Sequence, residues 1–180
     1  MVRRKNWILN ACEIIDRINE FVGKGGSWLT LFLILLVSGD VLSRYLFQKT
    51  SVAVQELEWH IFALVFLLAA GYTLKNNAHV RVDFFYQRLG KRGKAFIDLV
   101  GCILFLIPGC ILVMKSSLPF VESSWAFQEG SPDPGGLPAR YILKAAIPVG
   151  FFLVFLQGLA LLARSALTFF APEDPARKND

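Results

Sequence analysis

The chain has 180 residues, of which 54% are hydrophobic, 13% aromatic and only 18% charged, and its mean hydropathy is +0.49. Ordinary globular domains are nearer a quarter charged; here the apolar residues gather into four long blocks with the charges mainly between them, which excludes a sizeable soluble domain and argues for one integral membrane domain over residues 1–180. The net charge of +5 flanks those blocks, so it reads as membrane topology and not as a nucleic-acid-binding surface.

Residues 1–25 open with Arg3, Arg4 and Lys5 and then place Trp7, Ile8, Ala11, Ile14, Ile15, Ile18, Phe21 and Val22 at helical spacing. Glu13, Asp16, Arg17, Asn19 and Glu20 take the other face. The pattern predicts an amphipathic helix over 6–22 in the plane of the interface, with Trp7, Arg3 and Arg4 as headgroup anchors. The alternative is a helix packed on a partner. Gly23, Gly25 and Gly26 read as a flexible corner after it. No cleavable signal peptide is evident, because the first long apolar run begins only after this segment.

The first span is expected at 27–47. Its uncharged part, 25–39, is shorter than the roughly 20 residues that a crossing needs, so the helix must continue through Asp40 and Arg44. Those two lie four apart on one face and can pair where bilayer gives way to water. A short connection leads to the second span, 54–75, which opens with Glu56, Glu58 and His60. Glu58 points about 200° away from Glu56 around the helix. So short a connection makes the two helices antiparallel neighbours and sets Asp40, Arg44, Glu56, Glu58 and His60 at one depth. They read either as a cluster that pairs helices or meets a partner, or as a solvated helix end.

Lys75, Arg81, Arg88, Lys91, Arg92 and Lys94 crowd the next connection, which contains the string His79-Val80-Arg81-Val82-Asp83. The third span is expected at 95–115, kinked at Pro108-Gly109. A long loop over 116–145 follows, in which SPDPGGLPAR predicts ordered turns and Trp125 and Phe127 suit the interface. The fourth span is expected at 146–169 with Pro148 in its first turn, and 170–180 as a polar tail. Fourteen of the nineteen Lys and Arg residues fall on the side of the termini and the His79–Asp83 string. The positive-inside rule puts that side, with both termini, in the cytoplasm.

No catalytic motif is present: HExxH, CxxC, a phosphate-cradling glycine loop and GxSxG are all missing from the sequence. The three cysteines, Cys12, Cys102 and Cys110, lack metal-ligand spacing and read as small packing or lipid-facing residues. His60 and His79 stand 19 residues apart across a span, roughly 28 Å at about 1.5 Å per residue. One chain cannot ligate a haem with both. No cofactor is expected, and the middles of all four spans are almost wholly apolar, with Gly71, Thr73 and Gln157 off centre. That pattern disfavours a transporter acting alone. The competing class is a small membrane-anchor subunit of a redox or other membrane enzyme.

Several features then occur in a telling order. Arg44-Tyr45 ends the first span, and Glu56 and Glu58 open a second that closes on Ala69, Ala70, Gly71 and Tyr72. The His79-Val80-Arg81-Val82-Asp83 string follows. Gly135-Gly136-Leu137-Pro138 precedes a last span with Pro148, Gly150, Phe151 and Gln157-Gly158. In these the chain resembles, over nearly its whole length, the small membrane subunit (DctQ type) of tripartite ATP-independent periplasmic (TRAP) transporters. Many members carry a Trp shortly before the paired glutamates; here Trp59 follows them. The resemblance implies a non-catalytic scaffold in a bacterial inner membrane, within a sodium-coupled importer of small organic anions. Its implied partners are the large elevator-type permease subunit, which holds substrate and sodium, and a periplasmic substrate-binding protein that it helps to dock. Membrane phospholipids are the remaining expected partner. Within that frame Asp40, Arg44, Glu56 and Glu58 are expected at a helix-pairing or partner interface. His79, Arg81 and Asp83 are expected to pin the cytoplasmic connection, and Arg140 and Lys144 to meet the binding protein or lipid.

Overall fold

The structure, a computed structural model, describes residues 2–76 and 89–170, with side chains described from Asn6 onward. Arg3 and Arg4 side chains, His79, Arg81 and Asp83 therefore lie outside the described residues, as does most of the tail.

All regular structure among the described residues is helical. Helix α1 covers Val2–Phe47 and α2 Val52–Lys75; a third rod is built from α3 (Lys91–Gly101), a π-helical turn (Cys102–Leu106) and α4 (Ile107–Ala126); α5 covers Arg140–Phe169. Four stretches are long and apolar enough to cross a membrane: Asn6–Phe47, Val52–Lys75, Lys91–Ala126 and Arg140–Phe169. The chain thus has the all-α, four-span architecture of an integral membrane protein. The helices alternate in direction, so the α1–α2 connection and the loop 127–139 share one end of the bundle, here called the loop end.

The packing is inside-out relative to a soluble bundle. Most buried positions are small or polar, among them Cys12, Ala95, Cys102, Cys110, Ala146 and Ala160, with Asn19, Asp40, Glu56 and Gln157; Ile61, Leu74 and Leu153 are the large apolar exceptions among the described residues. Large side chains such as Phe32, Leu35, Phe66, Phe105 and Leu112 point outward. In lipid there is no hydrophobic gain from joining helices, so close backbone approach and polar contacts hold them instead.

Three expectations are corrected. The glycine corner at 23–26 does not form, and α1 runs through it unbroken. Two of those glycines serve contact: a Cβ on Gly23 would lie 2.4 Å from the Tyr72 ring, and one on Gly26 would meet Ala69 at 3.7 Å, whereas one on Gly25 would meet nothing within 4 Å. The irregularity of the third rod precedes Pro108 as the π-helical turn, which places the missing proline N–H without breaking the rod. The expected loop over 116–145 is mostly helix. Ser116 and Ser117 hydroxyls donate to Val113 O (3.2 Å) and Met114 O (3.0 Å), α4 continues to Ala126, and α5 begins at Arg140, which leaves Pro148 in its interior.

Candidate functional site

Two polar clusters organise the bundle. The first lies at the loop end. Glu56, in the first turns of α2, is almost fully buried and faces the loop that precedes α5. Three donors converge on its carboxylate: Ser131 Oγ at 2.5 Å and Arg140 Nη2 at 3.0 Å, both to Oε1, and the Leu137 backbone N–H at 2.6 Å to Oε2. The loop closes on itself around them through Ser131 N to Leu137 O (2.9 Å), Gly136 N to Asp133 O (3.0 Å) and Arg140 N to Glu129 O (2.9 Å). Gly136 permits this closure, since a Cβ there would lie 2.3 Å from Ser131 Oγ and 2.7 Å from Glu56 Oε2. A buried carboxylate that accepts several charge-assisted bonds is a strong local organiser. It fixes the SPDPGGLPAR turns as one preformed surface.

The same surface has a second ion pair. Lys144, one turn into α5, pairs with Glu129 at the start of the loop. Its ammonium holds the Glu129 carboxyl below the usual carboxylate range. Both cations also sit on aromatic rings, Lys144 Nζ 3.9 Å from the Phe120 centroid and the Arg140 guanidinium 5.6 Å from the Trp59 centroid. Beneath them lies a cavity of about 250 Å³ lined by Ala63, Leu67, Leu143 and Ile147.

The charges grouped by sequence at this end separate in space. Asp40 pairs with Arg44 on its own helix, the carboxylate side chain 5% and the guanidinium side chain 42% exposed. Glu56 turns toward the loop and meets Arg140, not Arg44. Glu58 is half-buried, and its Oε1 has no hydrogen-bond partner among the described residues. His60 Nδ1 lies 2.5 Å from the Glu56 carbonyl oxygen. Trp7 is 75% exposed at the far end of α1.

The second cluster lies toward the opposite end, where α1 crosses α2 and α5. Asn19, 0% exposed, donates from Nδ2 to Gln157 Oε1 at 3.0 Å. Gln157 Nε2 donates to Asp16 Oδ1 at 2.9 Å, and Arg164 Nη2 donates to Asp16 Oδ2 at 2.5 Å. Glu20 is bracketed by Lys75 of α2 and Lys24 of α1, each at 2.8 Å. Asn19 Oδ1 fills the place of a Gly71 side chain: a Cβ on Gly71 would lie 2.0 Å from it. Asp16, Asn19 and Glu20 of the amphipathic segment are thus turned into the bundle, while Glu13 and Arg17 are exposed and Trp7, Ile14, Ile18 and Phe21 face outward. Sequence reading assigned no role to Asn19, Asp16 or Arg164. The available signals were Gln157 and Gly71, the off-centre exceptions in otherwise apolar spans.

Among the described residues no group of His, Cys, Asp and Glu is arranged to hold a metal ion. Four membrane-crossing helices whose buried polar side chains tie helix to helix and loop to helix define a multi-pass integral membrane protein. The family model described as "Tripartite ATP-independent periplasmic transporters, DctQ component" matches residues 33–168. A relative from Vibrio cholerae serotype O1, the C4-dicarboxylate TRAP transporter small permease protein DctQ, is 26% identical over 178 residues, covering 85% of this chain and 74% of its own length. The chain belongs to the DctQ family. It is a multi-pass protein of a bacterial inner membrane, a component of a TRAP transporter and not an enzyme.

Proposed function

We propose that this chain is the scaffold subunit of a sodium-coupled secondary importer of small organic anions. In this reading its apolar rods widen the fixed frame of a large elevator-type permease, and its loop end helps a periplasmic substrate-binding protein to dock. The observation that carries the reading is the Glu56 clamp. A loop pre-ordered by a buried carboxylate presents a surface without having to freeze out loop entropy at each encounter. Arg140 and Lys144 then act from within, by shaping the loop. A small-anion substrate is supported by the name of the Vibrio cholerae relative, which is that of a C4-dicarboxylate transporter.

The positive-inside count supports a periplasmic loop end and cytoplasmic termini. We assign His79, Arg81 and Asp83 to a pin in the cytoplasmic connection; Asp83→Ala should weaken assembly, and unaltered assembly and transport would remove the pin. Trp7, Arg3 and Arg4 are assigned to the cytoplasmic headgroup region. The half-buried Glu58 is assigned to the rim of the contact with the permease, whereas Asp40 and Arg44 pair with each other on α1. The test is affinity purification of the tagged chain from its native membrane in mild detergent, followed by mass spectrometry. A many-spanning permease at one-to-one stoichiometry is expected, with no transport by this chain alone after reconstitution. A haem-bearing or catalytic companion, or transport by the isolated chain, would contradict the reading.

A further inference from the structure

A cleft of about 510 Å³ opens between the last turns of α1 and the start of α2, lined by Leu35, Leu36, Gly39, Asp40, Ser43, Lys49, Thr50, Ser51 and Val54. It differs in kind from the smaller cavity under Arg140 and Lys144. There each cation is already matched by an internal carboxylate, Glu56 or Glu129. In the cleft the Asp40 carboxylate is taken by Arg44 from the edge, while Lys49, the cation in the lining, makes no ion pair with any described residue.

The hydroxyl groups around Lys49 are also uncommitted. Ser51 is the N-cap residue of α2, yet its side chain makes no capping bond. Ser43 and Thr50 complete the polar rim. The cleft is divided by depth. Leu35 lies 12 residues before the end of α1 at Phe47, roughly 18 Å along the axis at about 1.5 Å per residue. Half the hydrocarbon core of a bilayer is about 15 Å. Leu35 and Leu36 therefore lie at acyl-chain depth when Lys49, Thr50 and Ser51 lie at headgroup depth, with Val54 between the two levels.

We propose that this cleft seats one phospholipid, its phosphodiester held by Lys49 and the hydroxyls of Ser43, Thr50 and Ser51, and one acyl chain laid over Leu35, Leu36 and Val54. The buried Asp40 carboxylate holds Arg44 at the edge and keeps the floor from carrying a second free cation. The net single positive charge matches the single negative charge of a phosphodiester. Gly39 is the opening through which the chain enters, since a Cβ there would meet no atom within 4 Å. The site is independent of the transport reading.

The test is native mass spectrometry of the full chain in mild detergent, titrated with dioleoyl-phosphatidylethanolamine. Wild type is expected to saturate with one tightly held lipid. Lys49→Ala should weaken it roughly fivefold, the effect of about one lysine at a membrane surface, and Lys49→Arg should retain it. Gly39→Leu should block the lipid while leaving helix content and elution unchanged, which separates occupancy from folding. Lys24→Ala, on the opposite end and paired with Glu20, should bind as wild type. Equal binding by wild type, Lys49→Ala and Gly39→Leu would overturn the proposal. So would displacement of the lipid by millimolar glycerol 3-phosphate or inorganic phosphate, which would assign the cleft to a soluble anion. A photo-crosslinking residue at Ser43 that captured a polypeptide instead of lipid in native membranes would overturn it as well.

Discussion

The two polar clusters solve different problems with similar groups. At the loop end one carboxylate gathers three donors, two of them from within a single loop and one from the helix that follows it. Toward the other end two carboxamides and an ion pair form a relay between two helices, α1 and α5, with partners 138 to 148 residues apart in sequence. The clamp shapes a surface whose loop meets water around a buried carboxylate. The relay fixes a crossing where water is largely absent and an orphaned polar group has few other partners. Damage to the relay should therefore be global, and damage to the clamp local.

The largest effect is expected where the relay meets backbone. Gly71→Val forces a side chain into the place of Asn19 Oδ1 and toward the Leu153 backbone, the latter 3.3 Å from a Cβ. A loss of about 3 kcal/mol is expected, seen as a large fall in thermal midpoint in detergent. For the smaller Gly71→Ala, adding Asn19→Ala should recover part of the loss; no recovery would remove Asn19 as the cause. Next is Asp16→Ala, which leaves Gln157 Nε2 and Arg164 unpartnered. With Arg164 partly exposed, about 2 kcal/mol is expected.

Glu56→Gln should sharpen the contrast. It keeps the shape but loses the charge and turns one acceptor into a donor against Ser131 or Leu137. Amide exchange at Ser131 and Leu137 should speed up by about tenfold, as expected for about 1.4 kcal/mol of local opening, while the global midpoint stays nearly constant. A global collapse would put clamp and relay in one cooperative unit.

Acid should act on the clamp through Glu129. Because Lys144 depresses the Glu129 pKa in the folded protein, the pair contributes above the ordinary glutamate range and is lost as pH falls through the depressed value. Loop protection, taken relative to the intrinsic base-catalysed exchange rate, should be flat from about pH 8 to 6 and fall below about pH 4. Lys144→Ala should move that fall to higher pH. The smallest effect belongs to Lys24→Ala. Its side chain is 70% exposed and pairs with Glu20 beside Lys75, so a change within about 0.5 kcal/mol is expected.

The same contrast explains what could be read from the sequence. Four spans were legible because a crossing helix needs a long uncharged run, and each run survives in the primary order. Glu56 and the SPDPGGLPAR loop were each conspicuous, but the bond between them depends on helix rotation that spacing alone does not supply. Arg44 was equally plausible as the partner of Glu56 until the structure turned Glu56 toward Arg140. The relay was hidden for a different reason. An amphipathic pattern says that two faces differ, not which one meets the bundle, and here the face with Asp16 and Asn19 turns inward. The glycines after it suggested a corner because flexibility and close packing demand the same residue. Ser116 and Ser117 suggested a loop, whereas in lipid their hydroxyls bond back to their own helix and extend it.

The most direct test of the central claim is transport by the reconstituted three-part system, measured against the concentration of the substrate-binding protein. Wild-type small subunit is compared with Glu56→Gln. If the clamp pre-orders a docking surface, the variant raises the half-saturating concentration of binding protein by about tenfold, while the maximal rate and the association with the permease hold. An unchanged half-saturation, with the loop shown to be loosened by amide exchange, would contradict it.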